Sequence, residues 1–423
     1  MLLNRDRAYA VMDKHRLRGL LAKENINIYY LSEYWESMTD GGWPFLDYAV
    51  LPRDEHSEAS LILPTIKLDR LSEMPTWMSN IVTFSDYSGR EVGQANRRAA
   101  NDEPPAAPWS GWRVRPGARL TPVEQGWLDR STAHADRLAA TPAWALRRAL
   151  KQTGLDRGRI GTDDPRVLQW MKEMGLDDIE IVDATNIFRE IRMVKTPDEI
   201  ALMRAAAQIN EVATMAAAWA LYDGARWEEI ENVFHTEHAR RGGRNGHIVG
   251  NLGGFRHGCV TRGVPMFVDA IGEYRHYFGD FGRSVVVGEP DAELVRRAKA
   301  MQAGWDVACR LLKPGTRRSH LIAETITAVQ KAGLPEFFYV SPHSIGLEHT
   351  DSPLPYGREI HGEQSDYVFE ENMIINIDMP FSEWGWGSMH LEDTLLVTHN
   401  GFEPLTSMQN ELVVVPEKKT PAP

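Results

Sequence analysis

The sequence predicts an α/β domain over residues 1–190 followed by an α+β domain over residues 191–423. Three observations lead there. Short apolar β-type runs alternate with helical stretches through the first half. A strongly signalled helix start follows residue 190. Beyond it, helices alternate with glycine-rich β-type runs of antiparallel character that carry acidic residues in unexpected places.

A helical start (MLLNRDRAYAVMDKH) gives way to GLLAKENINIYYLSEYW, DYAVLPR and ASLILPTIKLDRL, taken as short β-type runs divided by polar turns. Residues 99–123 hold five prolines and two tryptophans, the composition of a long loop. Two helical stretches and the strand pair RIGTD and IEIVDA complete this half. At the boundary, Thr196 can cap a helix, Pro197 fits its first position, and Glu199 stands three residues after the threonine, which together make a capping box. Ile200, Met203, Ala207 and Val212 then keep a helical apolar period, and further helices are expected over 291–312 and 317–332.

Composition narrows the function classes. With 43% hydrophobic and 25% charged residues, the chain has the balance of a soluble globular protein long enough for two cores. A net charge of −12 argues against nucleic acid as a partner, because phosphate binding needs a basic face. The basic run RRGGR at 240–244 fits a solvated loop. Only Cys259 and Cys309 are present, so no disulfide framework is expected and a cytoplasmic location is the simplest. The N-terminal stretch lacks the apolar core of a signal peptide, and no apolar run is long enough to span a membrane.

Five donors carry the chemistry. Asp269, Asp280, His343, Asp378 and Glu392 lie in MFVDAIGEYRHYFGDFGRSVVV, SPHSIGLEH, MIINIDMP and MHLEDTLLV, all apolar or glycine-rich. An ionised carboxylate is costly to bury alone. Four of them with an imidazole on core-type strands therefore point to a shared cation. Oxygen ligands suit hard divalent ions, and the imidazole moves the choice toward Mn, Fe, Co or Zn. Four carboxylates exceed what one ion needs, so two ions are expected, activating a water as nucleophile and polarising a carbonyl.

The order of these phrases resembles the creatinase/prolidase/methionine-aminopeptidase superfamily, the M24-type pita-bread fold, over roughly residues 185–410. The capped REIRMVKTPDEIALMRAAA resembles the helix that opens the family's catalytic domain. Asp269 is followed eleven residues later by Asp280 in GDFGRS, then by His343 in HSIG, by IDMP, and by LEDTLLVT. The first half is similar, by arrangement, to the domain preceding the catalytic one in prolidase, aminopeptidase P and creatinase. The layout is nearest to Xaa-Pro peptidases. That resemblance implies a homodimeric metallopeptidase-like hydrolase, in which a metal-bound water attacks a C–N bond of a short peptide or small molecule. Asp269, Asp280, His343, Asp378 and Glu392 would hold the two ions, with Asp280 and Glu392 bridging. Asp378 stands where the peptidases place a glutamate that also serves as base. His257 and His349 would stabilise the oxyanion. Trp35, with Tyr29, Trp43, Trp109 and Trp112, would wall the substrate, most simply from a neighbouring subunit.

Three departures stand out. Asp378 is one methylene shorter than the family's glutamate, and His349 follows His343 one residue sooner than in most peptidases. His390 occupies the place of an arginine two residues before Glu392 and is expected to face the substrate. A titratable ring has replaced a forked permanent cation. These changes raise a second expectation, a divergent hydrolase or lyase acting on a small non-peptide metabolite.

Overall fold

The computed structural model describes residues 1–42, 46–85, 103, 106, 112–135, 137–250, 255–256, 258–354, 366–408 and 412–417. They group into two compact units, Met1–Ile191 and Arg192–Pro423.

The first unit is built on a six-stranded mixed sheet: β1 (Gly19–Ala22), β2 (Tyr48–Pro52), β3 (Ser60–Pro64), β4 (Asn80–Phe84), β5 (Gly158–Thr162) and β6 (Ile179–Asp183), in the order β4-β3-β2-β1-β5-β6. RIGTD and IEIVDA supply β5 and β6, which pair in parallel. The helix Pro142–Gln152 starts at Thr141, whose side chain accepts from Trp144 N. It buries Ala145, Leu146, Ala149 and Leu150 on one face, packed with Val50, Ile62, Val82 and Ile160. That face follows helical spacing, so burial and propensity agree.

Two expectations fail in this unit. INIYYLS is not part of a β-type run but lies in a helix, Asn25–Ser32. Its buried residues Asn27, Ile28, Tyr30 and Leu31 follow a helical period. The start is fixed from far away: Asp163, at the end of β5, accepts from Lys23 N at 2.7 Å, Glu24 N at 3.1 Å and Asn27 Nδ2 at 2.8 Å. Much of the TIKLDRL stretch forms short 3-10 turns rather than continuing β3. The expected loop at 99–123 lies mostly outside the described residues, and at its end Pro122–His134 is a helix with a capping box on Thr121 and Glu124.

The second unit opens with the helix Pro197–Ala220, where Thr196 and Glu199 form the capping box the sequence predicts. Its strands are β7 (Arg244–Gly250), β8 (Phe255–Arg256), β9 (Cys259–Val260), β10 (Met266–Tyr274), β11 (Tyr277–Val287), β12 (Ser341–Ser344), β13 (Ile374–Glu383), β14 (Gly387–Thr398), β15 (Gly401–Pro404) and β16 (Val413–Val415). The main sheet runs β12-β13-β14-β11-β10-β7, antiparallel throughout, with β15 on β14 and β16 on β11. The two helices expected near 291–312 and 317–332 are Ala292–Leu311 and Arg318–Lys331.

Strand alternation decides which residues face the helices. Val268, Ala270, Val285 and Val287 pack with Ala213 and Ala217 of the opening helix. Ile375, Ile377, Met379, Leu391 and Leu395 pack with Met301, Trp305, Leu321 and Val329. The intervening residues Asp269, Asp378, His390 and Glu392 therefore project from the opposite face. The opening helix can approach β10 and β11 closely because Gly272 and Gly279 pair there: a Cβ on Gly279 would lie 2.3 Å from Ala206 O.

Glu199 joins this helix to β11. Its carboxylate accepts from Thr196 N at 2.8 Å and from the Tyr277 hydroxyl at 3.0 Å. Burial raises its pKa to about 7, against the opposing pull of Lys195. A carboxyl with a raised folded pKa favours folding while protonated. Its contribution is complete below its ordinary 4.5 and is lost as pH rises through about 7. That loss is on the order of 3 kcal/mol. Urea titrations should show wild-type stability falling between pH 5 and 8 more steeply than that of Glu199→Gln. Parallel profiles would refute the assignment.

Candidate metal centre

The centre is assembled by register. Asp269 on β10 faces Gly282 on β11, Gly282 faces Glu392 on β14, and Glu392 faces Asp378 on β13. One row across the sheet thus holds three carboxylates with a glycine between two of them. Two residues along lies a second row, where Asn376 pairs with both Thr394 and His343, and the Thr394 hydroxyl donates to Asp280 O at 2.9 Å. The missing side chain at Gly282 makes room: a Cβ there would lie 2.7 Å from Glu392 Oε2 and 2.9 Å from His390 Nδ1.

The opposite face holds this register. Arg283 is buried, donates to Gly282 O at 2.8 Å and to Glu392 O at 2.5 Å, and pairs with Asp393 at 2.7 Å. Asp393 also accepts from Thr406 at 2.7 Å. The dipeptide Glu392–Asp393 is therefore divided by the pleat, one carboxylate facing the centre and the other neutralising an arginine behind it.

Two donor groups converge. Asp280, His343 and His349 form one, and Asp269, His390 and Glu392 the other, the ligand atoms within each lying no more than 4.8 Å apart. His349 Nε2 is 2.8 Å and His343 Nε2 3.8 Å from Asp280 Oδ2. His390 Nε2 is 2.7 Å from Asp378 Oδ1, and its Nδ1 is 3.7 Å from Asp269 Oδ2. Asn376 donates to Glu392 Oε1 at 2.5 Å.

The electrostatics fit a cation. Among the described residues no donor reaches the buried atoms Asp280 Oδ1 or Glu392 Oε2, and His390 Nδ1 has no hydrogen-bond partner. Buried polar atoms are rarely left so. Burial, then Asp280, Asp269 and Asp378, push the Glu392 carboxyl well above its usual range. Burial likewise raises Asp269 to about 6, against His390. Asp378 moves the other way, because His390 outweighs the effect of its burial. Burial lowers His343, which keeps that ring neutral. Its Nδ1 lies 3.3 Å from the Ser344 carbonyl, which can only accept, so Nε2 carries the lone pair that a metal needs. His349 is raised: Asp280 overcomes the effect of burial.

Of the residues singled out from sequence, Asp269, Asp280, His343, His349, Asp378, His390 and Glu392 thus come together on one face. His257 lies outside the described residues. Trp35 belongs to the first unit, where it meets Tyr29 edge-on with ring centroids 5.5 Å apart. Trp43 and Trp109 are outside the described residues, and Trp112 is exposed. Sequence reasoning missed Asn376, although the alternation in INID places it on the face of Asp378. It also missed Gly282 as the space between two donors, and the Arg283–Asp393 pair behind them.

Comparison with known proteins agrees with this arrangement. Residues 201–399 match metallopeptidase family M24. An Xaa-Pro dipeptidase of Pyrococcus furiosus is 26% identical over 239 residues, 54% of this chain and 67% of that protein. The dimethylsulfoniopropionate lyase DddP of Roseobacter denitrificans is 28% identical over 265 residues, 57% of this chain and 58% of that protein. The structure of an Xaa-Pro dipeptidase from Bacillus anthracis superimposes with a TM-score of 0.68 at 18% identity, covering 97% of this chain and 99% of the other. Among the described residues no helix is long and apolar enough to cross a membrane. Over residues 201–399 this chain is thus similar to metallopeptidase family M24, and its donor order and sheet architecture agree with that likeness and with the fold of the Xaa-Pro dipeptidase structure.

Proposed function

We propose that this protein is a dinuclear metal-dependent hydrolase that cleaves the C–N bond of a short peptide, with Xaa-Pro dipeptides as the first substrates to try. The observation that carries this reading is the pair of three-donor groups on one sheet face, with buried oxygens that no donor reaches. Asp269, Asp280, His343 and Glu392 would hold two ions of Mn, Fe, Co or Zn, the choice that mixed carboxylate and imidazole donors favour. When bound, such ions supply Lewis acidity, which activates water and polarises the scissile carbonyl.

The remaining steps belong to side chains. The His349 side chain is 42% exposed and stands at the open edge of the centre beside Asp280. When its ring holds a proton on Nε2, it can donate to an oxygen that gains negative charge. Asp378 is ionised and its side chain is 24% exposed, so its carboxylate can take the proton that the attacking water loses and return it to the leaving amine. Asn376 fixes one Glu392 oxygen, and the other would be available to hold an ion.

A second reading has its own support in the sequence likeness to a lyase and in the exchange of arginine for His390, which removes a guanidinium from the centre. A small non-peptide metabolite would then be the substrate. One series of assays separates the readings. Chelator-treated protein should lose turnover of Xaa-Pro dipeptides and regain it with Mn²⁺, Co²⁺ or Zn²⁺, with two ions per chain by elemental analysis. Glu392→Ala should reduce kcat by about a hundredfold or more. Two bound ions with a silent dipeptide panel would move the assignment to the second reading. Turnover that chelation does not affect would end both.

Gly282→Ala tests the geometry. The added methyl would fall against Glu392 Oε2 and His390 Nδ1. Metal occupancy measured by calorimetry should fall by at least one ion, while the far-ultraviolet circular dichroism spectrum stays that of wild type. Undiminished binding would show that the two side chains do not meet over Gly282.

A further inference from the structure

Resting on the metal-dependent reading above, we propose that His390 is itself a metal ligand, through Nδ1, beside Asp269 and Glu392. Asp378 positions that ring instead of binding the ion. Asp378 Oδ1 accepts from His390 Nε2 at 2.7 Å. A carboxylate only accepts, so Nε2 carries a proton, and in the neutral ring that a metal requires Nδ1 carries the lone pair. Nδ1 is buried and has no hydrogen-bond partner among the described residues. It lies 3.7 Å from Asp269 Oδ2, and over Gly282 it gathers with Glu392 Oε2. Donors about 2.1 Å from a shared ion stand roughly 3–4 Å apart, so this spacing suits a common cation.

The ring is held for such a role. The Ser284 hydroxyl accepts from His390 N and donates to His390 O, both at 2.9 Å, which fixes the backbone where β11 meets β14. Phe267 packs edge-on to the imidazole with centroids 5.0 Å apart. Asp378 then sets the tautomer. A carboxylate on one ring nitrogen and a metal on the other is a general arrangement, in which the carboxylate orients the ring and raises its basicity. The side chain of His390 is only 2% exposed, so a substrate has little of it to touch, contrary to the substrate-binding role expected from sequence.

This arrangement joins two departures from the peptidase pattern. An arginine cannot ligate a cation, and a glutamate at position 378 would extend one methylene further than Asp378. The histidine supplies the nitrogen, and the shortened acid stops at hydrogen-bonding distance from it. The centre then has imidazole in both donor groups: His343 with His349 beside Asp280, and His390 beside Asp269 and Glu392.

Full-length protein loaded with Co²⁺ tests this through proton NMR and calorimetry, without any assay of turnover. Wild type should show a hyperfine-shifted, slowly exchanging imidazole N–H from His390 Nε2. His390→Gln should lack it and bind one of two ions at least a hundredfold more weakly. Asp378→Asn should keep both ions, one of them held about 10–100-fold more weakly, because only the orienting partner is lost. Two outcomes would overturn the inference while leaving the metalloenzyme reading intact. In one, His390→Gln has the wild-type set of shifted N–H signals. In the other, Asp378→Asn binds a single ion, which would make Asp378 the ligand. If His390→Gln does not fold, the ion count of Asp378→Asn still decides between these roles. Wild-type protein that binds no Co²⁺ would remove both proposals.

Discussion

The second unit is organised around one electrostatic constraint: Asp269, Asp280, Asp378 and Glu392 share a single sheet face, with Asp280 and Glu392 buried and Asp269 and Asp378 only partly exposed. Carboxylates crowded in this way repel one another and resist desolvation, so without a cation the cluster must hold protons. The upward shifts of Glu392 and Asp269 are that response. Much of the surrounding architecture keeps the four groups from separating. Arg283 ties the carbonyls of Gly282 and Glu392, Asp393 neutralises Arg283, and Thr406 completes the pair. A buried arginine–carboxylate pair is weak evidence of stability, because desolvation offsets most of its attraction. Its value here is register, since a slip of one residue would turn Glu392 and His390 toward the helices.

A similar logic governs the turn that carries His349. Asp351 is buried, accepts from Arg192 Nη2 at 2.6 Å and lies 3.4 Å from Lys195 Nζ, while its backbone N–H donates to Ser344 O at 2.7 Å. Gly346 allows the turn to close, since a Cβ there would sit 2.3 Å from Asp351 Oδ2. The segment Arg192–Lys195 thus braces the peptide between His343 and Asp351 from beneath. The same stretch begins the motif that the capping box completes at Glu199. What looks in sequence like a helix signal alone is also the support of a histidine about 150 residues later.

How far the sequence reaches can be judged residue by residue. The donors were legible because the cost of burying charge is local knowledge: an aspartate in MFVDAIG or MIINID needs a reason wherever the strand lies. The helix at Pro197 was legible because all its stop and start chemistry is contiguous. INIYYLS reads as β-type because its helix start is fixed by Asp163, about 140 residues away, and no window of local residues contains that partner. Asn376 and Gly282 escaped for a related reason. Each acts through a cross-strand neighbour, and strand register is a tertiary fact. His390 reads as an exchange for arginine, but its role depends on which nitrogen is engaged, and that is set by Asp378 across the ladder.

The pairing of Asp378 with His390 bears on how such a centre can diverge. Aspartate and histidine are both shorter than the glutamate and arginine that the peptidase pattern places at these two positions. Shortened together, they still meet at 2.7 Å, so the acid remains occupied and the ring gains a free inward nitrogen. The exchange therefore moves a donor within the centre without reducing the number of donors. It also removes a permanent positive charge from the carboxylate cluster and replaces it with a neutral ligand whenever a cation is bound. The bound ions would then be balanced by more negative charge, which weakens their Lewis acidity and also lowers the local attraction for an anionic substrate group. Specificity in this chain should accordingly depend less on recognition of a carboxylate at the centre than it would with arginine at position 390.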